Sequence, residues 1–161
     1  MRFIKNNTSN KLPMIDIIKY ESEAGFGKIG RDQFIDFLFT HLEQFGDPRE
    51  DIQKCLDYAF SDEKSEGGFA MAAFDDGELA GALIMNRTGM ANYIPDWVLV
   101  YVAVDQNRRG KGIGRKLIEE AISQCDGDIK LHVEYENPAK RLYERIGFTS
   151  KYAEMRFKNT R

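Results

Sequence analysis

Apolar positions along this chain switch between a period of two and a period near 3.6, and each change of period marks an element. Met14-Ile15-Asp16-Ile17-Ile18-Lys19-Tyr20 is a β-rich run, after which glycines at 25, 27 and 30 interrupt the pattern. From Asp32 to Phe45, Phe34, Phe37, Leu38, Leu42 and Phe45 recur at helical spacing, with Ile35 and Phe39 widening the arc, and Gly46 stops the helix. Asp47-Pro48-Arg49-Glu50 reads as the start of a second helix: Asp47 at the N-cap, Pro48 in the first turn and Glu50 at the capping-box position, with Ile52, Cys55, Leu56 and Ala59 on one face. Phe69 to Phe74 and Glu78 to Asn86 flank Asp75-Asp76-Gly77, which predicts a β-hairpin. Trp97-Val98-Leu99-Val100-Tyr101-Val102-Ala103-Val104 is apolar throughout, as a strand buried on both faces must be.

Leu117, Ile118, Ala121, Ile122 and Cys125 then mark a helix that the Asp126-Gly127-Asp128 turn ends. Ile129, Leu131, Val133 and Tyr135 alternate as a fifth strand. Asn137-Pro138 opens a last helix with Ala139, Leu142, Tyr143 and Ile146 on one face and Gly147 at its end, and Tyr152 to Lys158 alternates as a final strand. The predicted order is strand, two helices, three strands, helix, strand, helix, strand, all within one α/β domain over residues 14–161. The polar start up to Pro13 reads as a flexible arm.

Composition narrows the function without naming it. The chain has 161 residues, enough for one domain with its own core. A net charge of −3 argues against a general nucleic-acid or polybasic membrane binder, while leaving room for a local basic patch that serves one anionic ligand. Cys55 and Cys125 lie among apolar residues at helical spacing and read as buried, inert thiols. The opening residues contain no apolar core of signal-peptide length and no later stretch is long enough to span a bilayer, so a cytoplasmic protein is expected.

The chemistry concentrates at Arg108-Arg109-Gly110-Lys111-Gly112-Ile113-Gly114, between the buried strand and a helix. Glycines there let backbone N–H groups converge on an anion, the helix macrodipole adds to the effect, and Arg115 and Lys116 extend the positive charge. A glycine-rich corner with solvated basic residues is the plain structural alternative. The dinucleotide fingerprint needs glycine where Arg115 stands, and the P-loop needs Gly-Lys-Ser/Thr, which is missing. The spacing resembles the Q/R-x-x-G-x-G/A motif of the GNAT acetyltransferase superfamily, opened by Arg109 and closed by Gly112 and Gly114. Val102 to Gly110 is similar to that family's fourth strand and turn, and Asn137 to Phe148 to its second signature.

The resemblance covers about Met14 to Lys158 and implies a mixed, mostly antiparallel sheet with helices on both faces and splayed parallel fourth and fifth strands. It implies acetyl-CoA as acetyl donor, with no metal. The pyrophosphate would lie on Arg109, Gly110, Lys111, Gly112, Ile113, Gly114 and Arg115, and the pantetheine arm along Val102, Ala103 and Val104. Asn137 matches a cofactor-contacting asparagine, and Tyr143 matches the tyrosine that protonates the departing thiolate in many members. That transfer is uphill by about 2 kcal/mol for an ordinary phenol and thiol, and Tyr143 is equally placed to be a core tyrosine beside Leu142 and Ile146.

An amine acceptor is only about one part in a thousand neutral near pH 7.4, a handicap of roughly 4 kcal/mol, so a base is expected. The fourth strand carries no glutamate in the place some members use. Asp96 at its start and Glu134 on the fifth strand are the candidates, with His132 on the same face as Glu134. The two early helices and the loop from Arg87 to Pro95 should border the acceptor, with Phe34, Phe37, Phe39, Tyr58 and Tyr93 as aromatic candidates that suit a core equally well. A small amine, an amino acid, an aminoglycoside and a protein amine all remain open as acceptors, as does a homodimer through the final strands. Two other classes stay in view, an acyl-CoA-binding sensor without chemistry and an unrelated nucleotide-binding module.

Overall fold

A computed structural model of the chain describes residues 14–160; the proposed N-terminal arm lies outside the described residues. The sheet has five strands in the order β1 (Ile15–Tyr20), β2 (Gly68–Asp75), β3 (Glu78–Arg87), β4 (Trp97–Val104) and β5 (Ile129–Leu131). Every neighbouring pair is antiparallel except β4 with β5. The hairpin between β2 and β3 turns through Asp76 at φ 50° and Gly77 at φ 83°, the left-handed pair that a two-residue turn between right-twisted strands requires.

Alternation along β2 and β3 decides which helices cover which face. Ala70, Ala72, Ala82 and Ile84 point to one side, where α1 (Arg31–Leu42) and α2 (Arg49–Ala59) set Phe34, Ile35, Leu38, Ile52 and Leu56 against them. Phe69, Met71, Leu83 and Met85 point to the other, against Ile113, Leu117, Ile118 and Ala121 of α3 (Ile113–Ser123). Fully burying one such large side chain stabilises the fold by about 1.5–3 kcal/mol, so these two faces hold the sheet between two helical layers. α4 (Ala139–Ile146) packs more lightly beside α3, contributing Leu142, Tyr143 and Ile146 to the second core as partly buried residues. Among the described residues, no helix is long and apolar enough to cross a membrane.

Two features position the site. The register of β3 with β4 shifts so that Ile84 faces Tyr101 while Met85 faces Leu99, leaving Val100 as the extra residue of a bulge. At the same level the β4–β5 ladder ends: Trp97, Val98 and Leu99 pair with Ile129, Lys130 and Leu131, and nothing beyond is paired. β4 nevertheless runs on to Val104, so among the described residues its outer edge from Val100 to Val104 has no strand beside it.

Three expectations are corrected. The fifth strand, expected from Ile129 to Tyr135, pairs over Ile129–Leu131 alone, because its partner bulges away at Val100 and the chain folds back where the Asn137 amide donates to the Glu134 carbonyl. The expected strand from Tyr152 to Lys158 makes no ladder, and Tyr152, Met155 and Phe157 are 83%, 93% and 93% exposed. Alternation selects a face for a strand but not an edge to join, and so short a β5 offers little edge. Asp47 does not cap α2. Pro48 holds the cap position, and the Asp47 carboxylate instead accepts the Tyr101 phenol at 2.6 Å.

Candidate active site

Between β4 and α3 the chain first tightens into a short 3-10 turn, with the Asp105 carboxylate accepting the Asn107 amide at 2.9 Å. Gly110 at φ 80° and Gly112 at φ 79° then bring it into α3. A Cβ on either would meet nothing within 4 Å, so the left-handed backbone, and not crowding, makes glycine the fitting residue there. No side chain caps α3, and the first amide bonded into the helix is that of Lys116, which donates to the Gly112 carbonyl. The amides of Ile113, Gly114 and Arg115 are thus left at the positive end of the helix dipole, beside the unpaired edge of β4. Gly114 answers to packing instead, since a Cβ there would sit 3.3 Å from Val104 Cγ2 and 3.5 Å from Leu142 Cδ2.

Across the gap, the Asn137 side-chain oxygen accepts the Ala139 amide at 2.9 Å and fixes the start of α4. One helical stretch on, the Tyr143 ring meets Phe148 edge-on at 6.0 Å. Its phenol has no hydrogen-bond partner among the described residues, and burial pushes its pKa up to about 12. At neutral pH it therefore keeps a proton to give.

The match to a family model decides the kinship: residues 33–148 fit the Acetyltransferase (GNAT) family. The chain belongs to that family. Its GNAT relatives include a streptothricin acetyltransferase of Escherichia coli, 34% identical over 98 residues that make up 58% of this chain and 54% of that protein. A 5-NmdU N-acetyltransferase of Pseudomonas phage PaMx11 is 32% identical over 84 residues, 51% of this chain and 58% of the relative. The chain thus spans about half the length of the curated relatives it matches. Among solved structures, a possible acetyltransferase from Clostridium difficile 630 is similar with a TM-score of 0.63 at 19% identity, over 92% of this chain and 99% of that one. The aminoglycoside N-acetyltransferase AAC(6')-Iy in complex with CoA gives 0.63 at 13% identity, over 92% and 96%. At such identities the likeness establishes the fold.

Within this GNAT frame much of the basic cluster is occupied in holding the cradle together. Arg108 donates to the buried Asp75 carboxylate at 2.8 Å, and Lys111 lies 3.8 Å from it. Arg109 donates from Nε to the Val104 carbonyl and from Nη2 to the His41 carbonyl at 2.9 Å, tying the end of β4 to the last turn of α1, and it pairs with Glu43 at 3.4 Å. Arg115 pairs with Glu119 at 2.7 Å. The backbone amides of this stretch are thus less engaged than most of its basic side chains.

The three base candidates are dispersed. Asp96 accepts the Asp128 amide at 3.2 Å and lines a small pocket of about 220 Å³ at the start of β4, with Lys64, Ser65 and Glu66. Glu134 is exposed in the turn before Asn137. His132 is the first residue past the β4–β5 ladder and lines a larger pocket, about 440 Å³, on the α2 side of the sheet. Val98 and Lys130 also border this pocket, with Tyr58 of α2 as one wall and Thr88, Met90 and Ile94 from the loop as another. Tyr58 is pinned there by donating to the Arg87 carbonyl at 2.9 Å. Of the aromatic candidates, Phe34 is wholly buried core and Tyr93 is 79% exposed, so Tyr58 is the one that borders a cavity.

Sequence reading did not single out Asn86, Lys130 or Tyr101. Asn86 was hidden as the last residue of an apolar run, and Lys130 as the polar half of an alternation. Tyr101 lay inside an all-apolar strand, and only the fold brings its phenol to Asp47, a residue 54 positions away. Cys55 and Cys125 behave as inert thiols: burial pushes them up to about 12 and about 11, and Cys125 donates to the Ala121 carbonyl.

Proposed function

We propose that this chain is an acetyl-CoA-dependent N-acetyltransferase in which a primary amine attacks the thioester directly, within a ternary complex. The observation that carries this reading is the uncapped start of α3, with its two left-handed glycines, lying beside the unpaired Val100–Val104 edge of β4. An amide nest suits a diphosphate, and an unpaired strand edge suits the amide-bearing arm of the same molecule. The amides from Gly110 to Arg115, with Lys111, hold the pyrophosphate, the backbone of Val102, Ala103 and Val104 pairs with the pantetheine, and Asn137 and Tyr143 close the opposite wall.

The thioester supplies an activated acyl group, and the protein supplies position and proton management. Tyr143 delivers a proton to the leaving thiolate. With its phenol near 12 and a thiol near 8.5, complete transfer is uphill by about 5 kcal/mol, so the proton moves as the carbon–sulfur bond breaks and not before. Asp96, Glu134 and His132 are the groups available to take the proton of the amine. His132 is favoured by its place at the parting of β4 and β5, on the wall of the larger pocket.

The test is free-thiol release from acetyl-CoA across a panel of primary amines, alongside calorimetric binding of acetyl-CoA. Amine-dependent thiol release is the expected result. Tight acetyl-CoA binding with no release for any amine would instead make the chain an acyl-CoA sensor.

A further inference from the structure

The larger pocket carries information about the acceptor, on the proposed reading that the chain transfers an acetyl group to an amine. Its floor is a row of cross-strand neighbours: Asn86 of β3 pairs with Val98 of β4, which pairs with Lys130 of β5. His132, two residues beyond Lys130 on the same face, stands where the strands part and where a thioester lying along β4 would end. Tyr58, Met90 and Ile94 add apolar wall. An occupant of this pocket is therefore within reach of the proposed reaction centre.

The polar groups of the row are asymmetric. Asn86 is 7% exposed, and its amide nitrogen donates to the Cys55 carbonyl at 3.3 Å and lies 3.4 Å from the Cys55 sulfur, which fixes the orientation of the amide. Its Oδ1 is buried and has no partner among the described residues, so the amide serves as packed floor while the charge in the row lies at the other end. At the other end, the Lys130 ammonium makes no ion pair among the described residues. The carboxylate whose field reaches Lys130 and His132 is Glu154, and it is hydrogen-bonded to Arg156 at 2.8 Å. No carboxylate lines the pocket itself; Asp96 and Glu66 belong to the smaller neighbouring one.

We propose that the acceptor is a primary amine on an apolar or aromatic body that also carries an anionic group, carboxylate or phosphate, and is not a polycation. Lys130 receives the anionic group, with His132 beside it, and the apolar body lies against Val98, Met90 and Ile94. A polycation would meet the Lys130 ammonium with no carboxylate on the pocket wall among the described residues, and with Glu154 already engaged by Arg156, which is the arrangement that rejects like charge.

Matched ring amines test this in the full chain: benzylamine as the neutral member, 4-(aminomethyl)benzoate and 4-(aminomethyl)phenyl phosphate as the two anionic ones, and sisomicin as the polycation. Thiol release should give a kcat/KM for at least one anionic amine about tenfold above benzylamine, with sisomicin lowest, and the two anionic arms tell carboxylate from phosphate. Lys130→Gln, which keeps most of the stem and removes the charge, should erase that preference, and Lys130→Glu should invert it, with acetyl-CoA affinity unchanged in both. Sisomicin as the best acceptor, or a ranking that neither Lys130 variant alters, overturns the inference while leaving acetyl transfer in place. Failure of every amine to release thiol overturns the proposed activity, and the inference falls with it.

Discussion

The two sides of the parting between β4 and β5 are built in different ways. On the proposed donor side the groups in position are backbone: the amides at the start of α3 and the edge of β4 that is unpaired among the described residues, shaped by Gly110 and Gly112 and braced by Arg108 and Arg109. On the proposed acceptor side they are side chains from separate elements, Tyr58 from α2, Asn86 from β3, and Lys130 and His132 from the β5 segment. A backbone site depends on local conformation, which a short motif can specify. A side-chain site depends on what the tertiary fold brings together. The same frame can therefore keep one donor while its acceptors diverge.

The sharpest way to break this contrast is to strike the backbone half alone. Gly112→Val forces a β-branched residue to φ 79°, and it should lower acetyl-CoA affinity by about tenfold or more in calorimetry, with a stability loss of about 1–2 kcal/mol by urea denaturation. Tyr143→Phe should retain acetyl-CoA affinity and lower turnover at least about tenfold; an unchanged kcat would remove the phenol from the mechanism.

The alkaline limb of stability reports how far the Tyr143 phenol is desolvated. Its folded pKa, about 12, lies above the ordinary value of 10.0, so its contribution is fully present below pH 10 and is lost as pH rises toward 12. Wild type should lose about 2–3 kcal/mol more than Tyr143→Phe over that interval in pH-dependent denaturation, and equal slopes would show that the phenol is not desolvated. The smallest effect is expected in the core, away from both halves. Tyr101→Phe removes the 2.6 Å bond to Asp47 and should cost about 1 kcal/mol in stability while leaving acetyl-CoA affinity untouched.

How far the sequence could be read follows the same division. The hairpin at Asp76-Gly77, the all-apolar β4 and the glycine turn into α3 were legible because each depends on neighbours within a few residues. The failures were all questions of partnership. Asp47 had the composition of a cap but went to Tyr101, and Tyr152 to Lys158 had the alternation of a strand but no edge to join. β5 stopped after three residues because of a bulge in another strand.

By itself, then, the sequence determined the order of the elements from β1 to α4, the two buried faces of the sheet and the glycine turn that leads β4 into α3. Period and turn chemistry are local properties that survive without knowledge of the fold. Only the tertiary structure decided that β4 and β5 part at Val100, that Arg108 and Arg109 brace the cradle, and that Asn86, Val98 and Lys130 form one row beneath Tyr58. Those facts are distances between residues remote in sequence, and cross-strand register sets them.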